Sequence, residues 1–196
     1  MPIAFGDDAR TMFPGFVGRH YARKGLCLLA INPGGGKDTY HRTREDERFY
    51  PLLQQFKMAA TVQAESVFES ICDEFAAKIL PCWRLWNIVG PTLRAYGTSL
   101  DEIAFLNAVP YRTREDALPS VPAKTAAWRA VTGPAIQFLE PGMIVALGLK
   151  ANDVLRRFYH GTYRCVPRTN GDSYISSAAR AVLNELKSLQ RVPPRT

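Results

Sequence analysis

The sequence predicts an α/β fold, a three-layer αβα sandwich around a central, mainly parallel four-stranded sheet. Three observations predict it. Short apolar runs alternate with longer stretches of helical periodicity, the order of a parallel sheet covered on both faces. The runs "GLCLLAI", "IAFLNAV" and "MIVAL" are apolar almost throughout, as strands buried on both sides are. The glycine-rich and polar residues collect in the loops "NPGGGKD", "PYRTRED" and "PRTNGD", each directly after a strand. In such folds ligands bind beyond the carboxyl ends of the strands, so these loops share one address.

Gly25 to Ile31 is the first expected strand. Asp46 to Ala60 then carries Phe49, Leu52, Leu53 and Phe56 on one helical face, with Pro51 in its first turn or breaking it. Gln63 to Leu80 is an amphipathic helix with Val67, Phe68, Ile71 and Phe75 on one side. Trp83 to Tyr96 is a third helix, stopped by Gly97 and interrupted near Gly90-Pro91. Ile103 to Val109 is the second strand. A helix from Ala123 to Leu139 follows, disturbed at Gly133-Pro134, and Pro141-Gly142 turns into the third strand, "MIVAL". Ala151 to Tyr159 is helical, "TYRCV" is the fourth strand, and Ser176 to Leu189 is the closing helix. The whole chain, 1–196, reads as one domain with flexible ends at 1–12 and 190–196.

Composition narrows the function classes. A hydrophobic fraction of 46% excludes a disordered chain. No apolar run approaches the roughly 18 residues that span a bilayer, and the acidic N-terminal stretch is unlike a secretory signal, so the expected location is cytoplasmic. The formal charge of +7 favours polyanions, nucleic acid first, against the plainer reading of a solubilising surface. The acids are partly segregated at Glu65, Glu69, Asp73 and Glu74, which leaves much of the remaining chain more basic. Cys27, Cys72, Cys82 and Cys165 form no C-x-x-C pair and have no histidine at zinc-finger spacing, so no metal site is expected and the thiols read as buried.

The loop after the first strand, "NPGGGKD", fails both phosphate-binding patterns it suggests. Aligned on Gly36-Lys37, a Walker A loop would need a glycine at Ile31 and a hydroxyl at Asp38. The dinucleotide pattern fails at Thr39. The segment "INPGGG" after a buried strand instead resembles the first catalytic motif of the uracil-DNA glycosylase superfamily, in its mismatch-specific and thymine-DNA glycosylase branch. "FLNAVPYR" resembles a second signature of that family, and "PGMIVALGLKAND" the strand and helix before its last motif. The three matches occur in the family's order and span Gly25 to about Leu186. The last motif departs: the family's His-Pro-Ser or Asn-Pro-Ser is replaced by "CVPRTNGDSYIS", where Arg168 or Asn170 is the candidate for the group that supports the leaving base.

The resemblance implies a monofunctional DNA glycosylase, hydrolysing the N-glycosidic bond of uracil or a modified pyrimidine after base flipping, with no metal or other cofactor. Asn32 would hold the attacking water, although an Asn-Pro pair also opens turns. Gly34 would leave room for a wider range of pyrimidines, or serve only the tight turn. Asn107 would read the base edge, since one amide both donates and accepts, against a local role closing the strand. Phe49 is preferred over Tyr40 and Tyr50 as the stacking ring, with a core position as the alternative. Lys37, Arg112, Arg114 and Arg164, together with Arg42 and Arg168, would rim the site and grip DNA phosphates. His41 is a spare candidate acid. The expected partner is DNA, or RNA, bound by a monomer. Two competing readings stand beside this one: a non-catalytic nucleic-acid binder that keeps the fold, and a small-nucleotide hydrolase or transferase using the glycine loop.

Overall fold

A computed structural model describes residues 12–33, 46–113, 117–168 and 175–189. Five strands form one sheet in the order β1-β3-β2-β4-β5: β1 (Phe16–Val17), β2 (Leu26–Ala30), β3 (Ile103–Asn107), β4 (Met143–Leu147) and β5 (Tyr163–Val166). The sheet therefore has five strands where the sequence predicts four. The added edge strand β1 runs antiparallel to β3, pairing Phe16 with Phe105, and the other neighbours are parallel. Two residues are too few for any periodic signal, which is why β1 is invisible in the sequence.

Strand alternation divides the core in two. Leu28, Phe105 and Val145 face one helical layer, made by α1 (Asp46–Met58), α2 (Thr61–Glu74), α3 (Trp86–Tyr96) and α7 (Ser177–Leu189). Leu29, Ala104 and Ile144 face the other, made by α5 (Gly133–Leu139) and α6 (Leu149–Phe158), with α4 (Val121–Ala127) preceding α5 in the chain. The architecture is three-layered, with β2 central and all five of its residues buried. The chain leaves β2 toward β3 and leaves β4 toward β5, in opposite directions across the sheet, which makes the carboxyl ends of β2 and β4 a topological switch point.

Several helix details correct the sequence reading. Pro51 lies beyond the first turn of α1 and does not break it. Pro91 likewise lies inside an unbroken α3, so the expected interruption at Gly90-Pro91 is absent. Gly97 does end that helix, at φ 65°, with its N–H and that of Thr98 donating to the Arg94 and Leu93 carbonyls. The disturbance expected at Gly133-Pro134 takes the form of a π-helical turn, Trp128–Thr132, joining α4 to α5. Pro134 has no N–H for the carbonyl four residues back, and the wider turn absorbs that loss. A Cβ on Gly133 would lie 2.8 Å from the Trp128 carbonyl, which leaves room only for glycine. Among the described residues no helix is long and apolar enough to cross a membrane.

Candidate active site at the carboxyl edge of the sheet

The two asparagines singled out by sequence lie on neighbouring strands at the same edge. Asn107 is the last residue of β3, in register with Ala30, the last residue of β2. The pairing continues past the strand ends: the Ala108 N–H donates to the Ala30 carbonyl at 2.8 Å and the Val109 N–H to the Ile31 carbonyl at 2.9 Å. Asn32 follows one residue later. The sheet's own hydrogen bonds thus set the two residues on adjacent chain segments although 75 residues separate them in sequence.

Asn107 is the anomaly of this edge. Alternation along β3 turns it to the face of Phe105, the aromatic layer. It is only 4% exposed, yet neither its Oδ1 nor its Nδ2 has a hydrogen-bond partner among the described residues. A buried amide left in that state costs about 1–3 kcal/mol. Its backbone, by contrast, is pinned. Thr132, 1% exposed, donates its hydroxyl to the Asn107 carbonyl at 3.1 Å and to the Ala108 carbonyl at 3.2 Å.

Asn32 is half-buried and already oriented. Its Nδ2 donates to the Thr113 hydroxyl at 3.0 Å and, more weakly, to the Pro33 carbonyl at 3.4 Å. Thr113 stands in the loop after β3, so this hydrogen bond ties the two candidate catalytic loops together.

A pocket opens on the aromatic face, lined by Phe13, Pro33, Phe49, Tyr50, Leu53, Trp83 and Arg112. Its cavity volume is about 20 Å³, room for a water. Phe49 belongs both to the pocket wall and to the core: it is 4% exposed, with its ring 5.7 Å from Phe13 and 6.1 Å from Phe75. Among the described residues of that wall, Arg112 is the one that carries a charge.

The remaining cations divide. Arg168 lies two residues past β5, beside Gly148, the residue between β4 and α6. Burial holds its guanidinium below the ordinary arginine value. Arg164 is not brought to this edge. It sits within β5, where its Nε engages Glu185 of α7 at 2.6 Å and its Nη1 donates to the Tyr163 carbonyl. Gly34, Lys37, Tyr40, His41, Arg42, Arg114 and Asn170 lie outside the described residues.

Sequence reasoning missed three contributors. Thr113 stood inside a loop already singled out, between two arginines that drew attention as phosphate ligands. Thr132 lay in a helical stretch, where a threonine carries no visible signal. Phe13 sat beside an N-terminal end expected to be flexible, yet it is 4% exposed and its N–H donates to the Pro110 carbonyl. Comparison of the chain with protein-family models and with curated proteins gave no match.

Proposed function

We propose that this protein is a DNA glycosylase that flips a uracil or modified pyrimidine nucleotide and hydrolyses its N-glycosidic bond. The observation that carries this reading is Asn107, a buried amide at the carboxyl edge of the sheet whose two polar atoms have no hydrogen-bond partner among the described residues. Such a group is tolerated when a ligand completes it. A pyrimidine offers a ring N–H beside a carbonyl oxygen, one donor and one acceptor for a single amide.

In the reaction, a water held by Asn32 attacks the sugar C1′ while the C1′–N bond breaks and its electrons leave with the base. The water's proton ends on the base or in solvent, since an amide orients water without deprotonating it. Negative charge grows on the departing ring, and a cation or N–H donor facing it lowers the barrier. Arg112, in an otherwise largely apolar pocket wall, and the half-buried Arg168 are cations that this edge offers among the described residues. Phe49 supplies the ring against which the base stacks.

The test is an incision assay. Purified protein is incubated with labelled oligonucleotides carrying uracil, hypoxanthine, 5-hydroxymethyluracil or a G·T mismatch, with chelator present, and abasic sites are cleaved by alkali. Cleavage at one modified base, lost in Asn32→Ala and redirected or lost in Asn107→Asp, supports the reading. Intact strands throughout overturn it. One observation favours a second reading, non-catalytic nucleic-acid binding: the pocket has room for a water and not for a base. Salt-sensitive DNA binding with intact strands is the result that reading requires.

A further inference from the structure

The structure assigns Thr113 the role of a positioning residue that anchors the NH2 end of the Asn32 amide, so that the oxygen end is left to meet the attacking water. This inference rests on the glycosylase reading above and names a residue that reading does not use.

Asn32 makes two side-chain hydrogen bonds to described residues. Both are made by the same atom, Nδ2: to the Thr113 hydroxyl at 3.0 Å and to the Pro33 carbonyl at 3.4 Å. The Pro33 carbonyl can only accept, so it selects the NH2 end of the amide, and Thr113 must then accept as well. With the two amide protons directed at these oxygens, Oδ1 is the end that remains, and it accepts no hydrogen bond from a described residue.

The orientation has a chemical consequence. A water that donates a proton to Oδ1 keeps a lone pair for the sugar carbon, and the hydrogen bond makes its oxygen more electron-rich. A flipped amide would donate to that lone pair and blunt the nucleophile. The two orientations differ little in shape, so packing alone does not choose between them. The Pro33 carbonyl makes that choice because it only accepts, and the Thr113 hydroxyl, which can donate or accept, holds the chosen end through the shorter of the two contacts, 3.0 Å against 3.4 Å. The contact also links the loop after β3 to the loop after β2, so the water-holding group is set by the loop that follows the base-reading one.

The test compares Thr113→Val, which keeps shape and removes the acceptor, with Thr113→Ser, which retains it. Two readouts are taken on each purified protein: single-turnover excision with DNA affinity, and the side-chain NH2 signals of Asn32 in a nitrogen-15 NMR spectrum. Thr113→Val is expected to slow excision by about tenfold or more at nearly unchanged DNA affinity. Its Asn32 NH2 signals should shift and exchange faster with water. Thr113→Ser should restore both, and Thr113→Val added to Asn32→Ala should cost nothing further. Unmoved Asn32 signals in Thr113→Val, or a serine variant as slow as the valine, overturn the assignment. If wild-type protein excises no base, the glycosylase reading falls and the catalytic role of Thr113 falls with it. The NMR signals then report the contact alone, which separates that failure from a misassigned hydrogen bond.

Discussion

Thr132 reaches from the π-helical turn between α4 and α5 and donates one hydroxyl to two carbonyls, those of Asn107 and Ala108, at 3.1 and 3.2 Å. The hydroxyl comes from the helical layer on one side of the sheet, while the Asn107 side chain points to the other. The orphaned amide is therefore held from behind.

Replacing Thr132 by valine removes the donor shared by two carbonyls at a 1% exposed position. The expected loss is about 1–3 kcal/mol of unfolding free energy, with Thr132→Ser recovering most of it. Urea denaturation reads the change directly. An unaltered midpoint in the valine variant would mean that the bifurcated bond contributes nothing.

Asn107 makes the opposite expectation. Most substitutions of buried residues destabilise. Here leucine, with the same branching as asparagine, removes two polar atoms that have no partner among the described residues. Asn107→Leu should leave stability unchanged or raise it by about 1 kcal/mol, while selective recognition of a modified base disappears. A stability loss beyond about 1 kcal/mol would show that the amide is satisfied in solution and is no vacant reader.

The physics explains which parts of this molecule were legible beforehand. β2, β3 and β4 were readable because strands buried on both faces must be apolar for their whole length, and nothing else in a chain this polar looks like that. β1 was not, because two residues carry no period. Proline penalties are local averages, and tertiary packing overrode them at Pro51 and Pro91. Asn32 and Asn107 were conspicuous as polar residues interrupting apolar strand ends. Thr113 and Thr132 were not, since a threonine's value here lies in which amide or carbonyl its hydroxyl meets. Arg164 looked like a rim cation because it neighbours a loop, but Glu185, 21 residues later, engages it.

Gly148 links β4 to α6 with φ 103°, a backbone that L side chains rarely adopt. An added Cβ would find ordinary van der Waals distance, 3.7 Å from the Cβ of Arg168, so space is not the obstacle. Gly148→Ala should nonetheless cost about 1 kcal/mol or more through backbone strain alone, and displace Arg168 from the edge. Thermal or urea unfolding measures the first effect. A neutral substitution would mean that the turn relaxes to an ordinary φ.

Alkaline pH should weaken the fold through Cys27. Its thiol is 0% exposed in the central strand, and burial pushes its pKa from about 9 up to about 12. Between those values the unfolded chain releases the proton and the folded chain retains it. The folded state then binds more protons, so stability falls as pH rises. The contribution is fully present below pH 9 and is lost progressively toward pH 12, at up to about 1.4 kcal/mol per pH unit. Tyr21, also raised by burial to about 12, adds a smaller fall in the upper part of that window because it is more exposed. Cys27→Ala removes the larger effect. The variant should be less stable than wild type near about pH 8, where the lost side chain leaves a cavity, and the gap should narrow by about 1 kcal/mol or more by about pH 10.5. Urea unfolding of both proteins at the two pH values decides the matter, and a gap independent of pH would mean that Cys27 ionises as readily in the folded chain as in the unfolded one.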